Sequence, residues 1–212
     1  MNIIRRPFRY QNSHFVFWLI GINVLIFVAM QLFGRNFKML MTYHLSMIPS
    51  EVLRGWVWTF VTYMFVHGGW SHIIFNMLGL FIFGMQVERQ MGSREFLLYY
   101  LVTGMLAGVF SFAMYTLTRT NVVLLGASGA LFAVELAFAI LFPDAIIYLW
   151  GILPLRAPIM VLGFTALELL FSITGTNSGV AHLTHLAGFG FGWLYFMVRF
   201  GINPWRRLMR RR

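Results

Sequence analysis

Six long apolar runs constrain this chain more than any other feature of its sequence. They cover about Phe15–Phe33, Trp70–Val87, Phe96–Leu117, Ala127–Phe142, Ala157–Ile173 and Val180–Phe200. At about 1.5 Å per helical residue, about 20 residues cross the roughly 30 Å of hydrocarbon in a bilayer. Of the 212 residues, 59% are hydrophobic and 10% charged, where soluble domains hold about 45–50% and about 25%. The expected fold is all-α, a polytopic membrane protein of six transmembrane helices.

Basic residues set the expected orientation. Arg5, Arg6 and Arg9 precede the first run, Arg89 and Arg94 join the second to the third, and Arg156 precedes the fifth. Arg199, Arg206, Arg207 and Arg210 to Arg212 follow the sixth run or close it. With an even number of spans these all fall on one side, leaving Arg35, Lys38, Arg54 and Arg119 on the other. The positive-inside rule then puts both termini in the cytoplasm. The expected layout is a short basic segment, 1–14, a six-helix membrane domain, 15–200, and a basic tail, 201–212. The net charge of +10 reads as a topology signal and an attraction to anionic lipid. Nucleic acid is not an expected partner, because the tail "WRRLMRRR" directly follows a span.

The first run lacks a small-residue cleavage site and reads as a retained span rather than a signal peptide. The chain has no cysteine, which excludes disulfides, thiolate metal sites and a cysteine nucleophile. The segment Gly34 to about Gly69 carries Trp56 and Trp58 among scattered polar residues, as suits a segment half sunk in the outer leaflet. The cell's plasma or inner membrane is the expected location, and the oligomeric state leaves no mark in the sequence.

The fourth run is too short. Pro143 and Asp144 stop it, and its roughly 16 residues reach only about 24 Å. Val122 to Leu125 must therefore enter the membrane region as extended chain, which is tolerated only when buried in protein or lining a watery cavity. That puts Ser128, flanked by Gly126 and Gly129 in "LLGASGALF", below the surface. A lone serine in an apolar helix usually bonds back to a carbonyl one turn earlier, and Ser128 has to be weighed against that.

Other polar residues share its depth. His72 and Asn76 stand four apart, on one face of the second run, and His185 lies about five residues inside the outer end of the sixth. All are expected in the outer half of the membrane, where polar groups are costly and mark function. A hydroxyl becomes a nucleophile when a neutral imidazole within reach takes its proton, so His185 is the candidate base for Ser128. His72, Asn76 and the amides opening the fourth helix, whose dipole favours negative charge, could together form an oxyanion hole. Gly129, Ala133 and Ala137 recur every four residues, as do Gly188 and Gly192. Small residues at that spacing let two helices approach closely enough for such a hydrogen bond.

"HGGWSHIIFN", "GASGALFA" and "AHLTHLAGFGFG", in that order on the second, fourth and sixth runs, resemble the signature of the rhomboid family of intramembrane serine proteases. The resemblance covers about Phe15 to Phe200. It implies Ser128 as nucleophile, His185 as base, and His72 and Asn76 as oxyanion donors beside the Ser128 amide. It also implies hydrolysis of peptide bonds in or near the spans of transmembrane proteins, with no cofactor and no metal. "QVERQMGS" is similar to a turn of the family in which Glu88 is structural.

Two departures stand out. Where the family often has Trp-Arg in its first loop, Trp58 is followed by Thr59, and where many members carry a tyrosine four residues after the serine, this chain has Phe132. Stacking on the catalytic histidine should persist without the hydroxyl. Two other readings are set beside the protease: a catalytically silent rhomboid-like binder of membrane proteins, and a transporter or metal protein using His67, His72, His182 and His185. His182 is expected to pack or to act behind the site, Glu135 and Glu168 to be structural, with a proton relay open to either. Loss of serine or histidine would mark the silent binder, and neither is lost.

Overall fold

The computed structural model describes residues 8–149, 151–174 and 182–209. The chain is an all-α bundle with one small hairpin. Helix α1 is Phe15–Leu32, followed by α2 (Gly34–Leu45), α3 (Pro49–Leu53) and α4 (Thr59–Thr62), the last continuing as a 3-10 turn, Tyr63–Phe65. Helix α5 runs Trp70–Met91 with a π turn at Leu80–Gly84, α6 is Ser93–Leu117 and α7 is Ser128–Leu141. Strands β1 (Ile146–Leu149) and β2 (Leu153–Arg156) pair antiparallel, Ile146 opposite Arg156. Then come α8 (Ala157–Thr174), α9 (His182–Tyr195, prolonged by a π turn, Phe196–Phe200) and α10 (Pro204–Leu208).

Four helices, α1, α5, α6 and α8, are long and apolar enough to cross a membrane, and α7 is a shorter apolar helix. The chain is an integral, multi-pass membrane protein. The expected runs match these helices closely, with two differences. Helix α5 continues past Val87 to Met91, because "ERQM" forms helix well and Glu88 is needed inside. The stretch before α8, expected only to lie in the interface, forms a hairpin. The expected start of the sixth span at Val180 lies outside the described residues.

Burial identifies the centre. Eleven of the 14 residues of α7 are buried, against 22% of α8 and 28% of α1. Helix α7 is thus shielded by protein, which lets so short a helix, about 21 Å by its rise, sit in the membrane. The chain leading into it is extended and paired: Met47 and Leu124 exchange two backbone hydrogen bonds of 2.9 Å, and the Gly126 amide donates to the Tyr63 carbonyl at 2.9 Å. The Leu124 and Gly126 amides of this path thus find acceptors inside the protein, as a non-helical segment in a membrane requires.

Side chains fasten the neighbours. The Tyr99 hydroxyl of α6 donates to the Ala133 carbonyl of α7 at 2.5 Å, and Ser111 and Thr184 join α6 to α9 at 2.7 Å. Helix α9 lies so close to α7 that a β-carbon at Gly188 would collide with the Gly129 carbonyl oxygen. Alanine is not tolerated there without separating the helices.

At the far end a carboxylate replaces a cap. The N-cap of α1, His14, makes no capping bond. Instead Glu88 of α5 accepts from the amides of Phe15 at 2.7 Å and Val16 at 2.9 Å, satisfying two orphan donors of a helix start. Glu88 also accepts from the Ser93 hydroxyl. Beside it Glu95 accepts from Arg199 through both oxygens at 2.8 Å and from the Tyr195 hydroxyl at 2.5 Å, tying α6 to α9.

Candidate active site

Ser128 opens α7, and a left-handed residue puts it there. Gly126 has φ +116°, a region that side chains disfavour, and a β-carbon at that position would meet His72 Nε2 at 2.5 Å. The glycine thus turns the extended chain into the helix and lets the imidazole pack against the backbone. As the first helical residue, Ser128 carries an amide without an intrahelical acceptor.

The Ser128 hydroxyl lies 2.7 Å from Nε2 of His185 on α9. This bond between helices is not the back-bond to a neighbouring carbonyl that an idle serine makes. The helix approach at Gly188 and Gly129 permits it, with Thr184 Cγ2 about as close to Gly129 as packing allows, at 3.0 Å from a built β-carbon. On one face of His185 the Phe132 ring is stacked, centroids 4.6 Å apart and planes 6° from parallel. The imidazole is buried and held from two sides.

His72 and Asn76 come from one face of α5. Asn76 is buried, and its Nδ2 donates to the His72 carbonyl at 2.7 Å, leaving one N–H of the amide to spare. Its Oδ1 has no partner among the described residues. His67, wholly buried, lies edge-on to His72 with centroids 5.0 Å apart, and neither of its ring nitrogens has a partner among the described residues.

The four histidines do not form one cluster. His67 pairs with His72, and His182 with His185, centroids 6.5 Å apart. Between the second pair stands Glu168 of α8, expected from sequence to be structural. Its Oε2 lies 2.6 Å from His182 Nδ1 and 3.1 Å from His185 Nδ1. The contact to His182 is a hydrogen bond. The one to His185 is within ion-pair distance but poorly aligned, so His185 Nδ1 lacks a hydrogen-bond partner among the described residues. Sequence reasoning missed this because a residue on the fifth span meets the sixth only through helix rotation, which no local pattern records. Glu135 is buried on α7.

Helices α7, α9 and α8 thus bring a hydroxyl, an imidazole and a carboxylate into file beside the start of the central helix of a membrane bundle. The family model for the Rhomboid domain matches residues 54–202. The chain is 31% identical over 198 residues to Rhomboid-like protein 11, chloroplastic, of Arabidopsis thaliana, covering 87% of this chain and 64% of that protein. It is 31% identical over 204 residues to Rhomboid protein 1, mitochondrial, of Saccharomyces cerevisiae, covering 89% and 55%. To Rhomboid protease GluP of Bacillus subtilis it is 32% identical over 127 residues, covering 58% and 24%. This chain belongs to the rhomboid family. It spans less than two thirds of the length of these relatives.

Proposed function

We propose that this protein is an intramembrane serine endopeptidase that cuts other transmembrane proteins in or near the outer part of their spans. The observation that carries the reading is the 2.7 Å contact between Ser128 Oγ and His185 Nε2. As Oγ attacks the substrate carbonyl carbon, its proton passes to Nε2 and the carbonyl π pair moves to oxygen. The oxyanion takes hydrogen bonds from the Ser128 amide, the spare N–H of Asn76 and the His72 ring. Collapse of the tetrahedral intermediate breaks the C–N bond, and Nε2 returns the proton to the leaving amine. Water then attacks the acyl ester, gives a proton to Nε2, and Ser128 leaves with it.

No cofactor is needed in this scheme. Both termini face the cytoplasm in the reading, 1–14 and 201–212 being short basic ends of a 15–200 membrane domain in a cell's plasma or inner membrane. The catalytic groups then lie in the outer half, with water reaching them from that side. A substrate span hides its carbonyls in its own hydrogen bonds, and unwinding it in lipid exposes groups costing several kcal/mol each. The preferred substrate is a single-span protein whose outer segment contains weak helix formers such as Gly, Ser or Pro.

Labelling with a fluorophosphonate tests the nucleophile. The intact protein takes up the probe at Ser128, and Ser128→Ala does not; a protein that leaves the probe untouched is not a serine hydrolase. The location follows from placing one helix-weak segment at the outer end, the middle and the cytoplasmic end of an otherwise constant span. Mass spectrometry of the products should find cutting only for the outer placement.

A further inference from the structure

We infer that Glu168 is a positioning residue for His185, orienting its ring in the resting enzyme and stabilising the imidazolium that forms when Ser128 attacks. The inference rests on the serine-protease reading above. For Nε2 to receive the serine proton it must be the bare nitrogen, so the resting hydrogen belongs on Nδ1. That tautomer is set by whatever Nδ1 faces, and here it faces Glu168 Oε2 at 3.1 Å. The carboxylate comes from α8, 17 positions before His185 in sequence, and its side chain is 16% exposed while that of His185 is 10% exposed.

In the resting geometry the same oxygen is held more tightly by His182 Nδ1, at 2.6 Å. Its contact with His185 is the loose one, within ion-pair distance but out of hydrogen-bond alignment. Catalytic hydrogen bonds are often long or misaligned before substrate binds and tighten in the reacting complex. A proton arriving at Nε2 makes His185 a cation whose Nδ1–H is drawn to the carboxylate, and charge-assisted bonds of this kind are shorter and roughly twice as strong as neutral ones. His182 thus keeps the carboxylate in place, and His185 draws on it as charge develops. Phe132 and Glu168 divide the work: the ring fixes the plane of the imidazole, and the carboxylate fixes its rotation and tautomer.

The donor atoms of Glu168, His182 and His185 lie within 4.8 Å of one another, so a bound metal is the rival account. A tetrahedral zinc shell with bonds of about 2.0 Å separates its ligand atoms by about 3.3 Å. The 2.6 Å between His182 Nδ1 and Glu168 Oε2 is a hydrogen-bond length instead. Nδ1 of His185 lies 3.1 Å from the same oxygen, within reach of a donor that turns toward that acceptor.

The test compares wild type, Glu168→Gln and Glu168→Ala on one transmembrane substrate in detergent micelles, with fluorophosphonate labelling rate and thermal stability measured alongside. Glu168→Gln should lower kcat by at least about 10-fold, short of the roughly 10⁴-fold lost where a fully hydrogen-bonded carboxylate orients the histidine of a serine protease, with KM within about twofold and the labelling rate falling in step. Formate should recover part of the kcat of Glu168→Ala by refilling the carboxylate site, while doing nothing for Ser128→Ala. A kcat within about twofold of wild type in both variants overturns the inference. So does a loss that formate leaves untouched and that follows a fall in stability. Wild-type activity abolished by a chelator and restored by zinc overturns it in favour of the metal. Failure of the serine reading is a separate result: wild type would then not be labelled at Ser128.

Discussion

His72 stands near one end of α5 and Glu88 near the other, about 24 Å apart along the helix, and the buried polar groups gathered round them are paired very differently. Round Glu88, each carboxylate is saturated. Glu88 holds two amides and a hydroxyl, and Glu95 holds a bidentate guanidinium, a phenol and the Phe8 amide at 3.3 Å. Round His72, Asn76 Oδ1, both nitrogens of His67 and His185 Nδ1 lack partners among the described residues. Buried groups left open in this way are rare and call for an explanation. Saturated pairing joins helices and stops there, whereas open donors and acceptors are what a reacting carbonyl and an attacking water require. In the proposed function, the same bundle spends polar groups on assembly at one end and on chemistry at the other.

The strongest way to break this contrast is Ser128→Ala. Cleavage of a transmembrane substrate should fall by at least about 10⁴-fold, since removing one member of a serine–histidine unit disables the whole of it. Resistance to thermal unfolding in detergent should stay within about 1 kcal/mol of wild type, as for a change that empties no core. Substantial unfolding would mean that this end also holds the bundle together.

Glu95→Ala is the mirror experiment. It leaves Arg199 and the Tyr195 hydroxyl without their acceptor in a place where Glu95 is only 1% exposed. Breaking a buried pair by removing one partner costs about 3–5 kcal/mol, so unfolding should shift by that amount. Activity per folded molecule, measured on the fraction that resists denaturation, should stay within about twofold. A selective loss of kcat would tie the two ends together.

A smaller effect is expected at Asn76. In the proposed mechanism replacement by Ala removes one donor to the oxyanion, for which turnover should drop by about 10- to 1000-fold. Fluorophosphonate labelling of Ser128 should persist, because the proposed nucleophile and base are untouched. Unchanged turnover would remove Asn76 from the reaction.

Apolar length made the spans legible from sequence, since crossing hydrocarbon leaves little freedom in where a helix starts or stops. The short α7 was legible for the same reason: Pro143 and Asp144 end it, and the missing length had to be supplied by buried extended chain, which Leu124 and Met47 provide by pairing. Ser128 and His185 could be put at one depth by counting residues. Depth is one coordinate, however, and azimuth is another. Whether Glu168 faces lipid or the bundle depends on how α8 is rotated, and with only 22% of that helix buried its pattern hardly distinguishes the faces. The hairpin of β1 and β2 was hidden likewise, because an apolar stretch with a turn reads equally as an interfacial segment. The resemblance implies a structural Glu88, yet its service to the first turn of α1, 72 residues away, depends on a contact that no local periodicity encodes.

The finest test of the contrast lies at Phe132, where the family often has tyrosine. The ring stacks on His185 at 4.6 Å and 6°, while its hydroxyl-free edge adds no hydrogen bond to a site already short of partners. If stacking is what the position contributes, its worth is that of an aromatic pair, about 0.5–1.5 kcal/mol. Phe132→Leu should then slow cleavage by about twofold to tenfold, through kcat rather than KM, because the ring stacks on His185, the proposed base. Phe132→Tyr keeps the stack and should stay within about twofold of wild type. A Tyr variant several times faster would mean that the open end of the bundle lacks a hydroxyl it could use, and that the ring's face is only part of its role. Equal rates for Leu and Phe would mean that Glu168 and the bond to Ser128 already fix the imidazole, leaving the aromatic ring as packing.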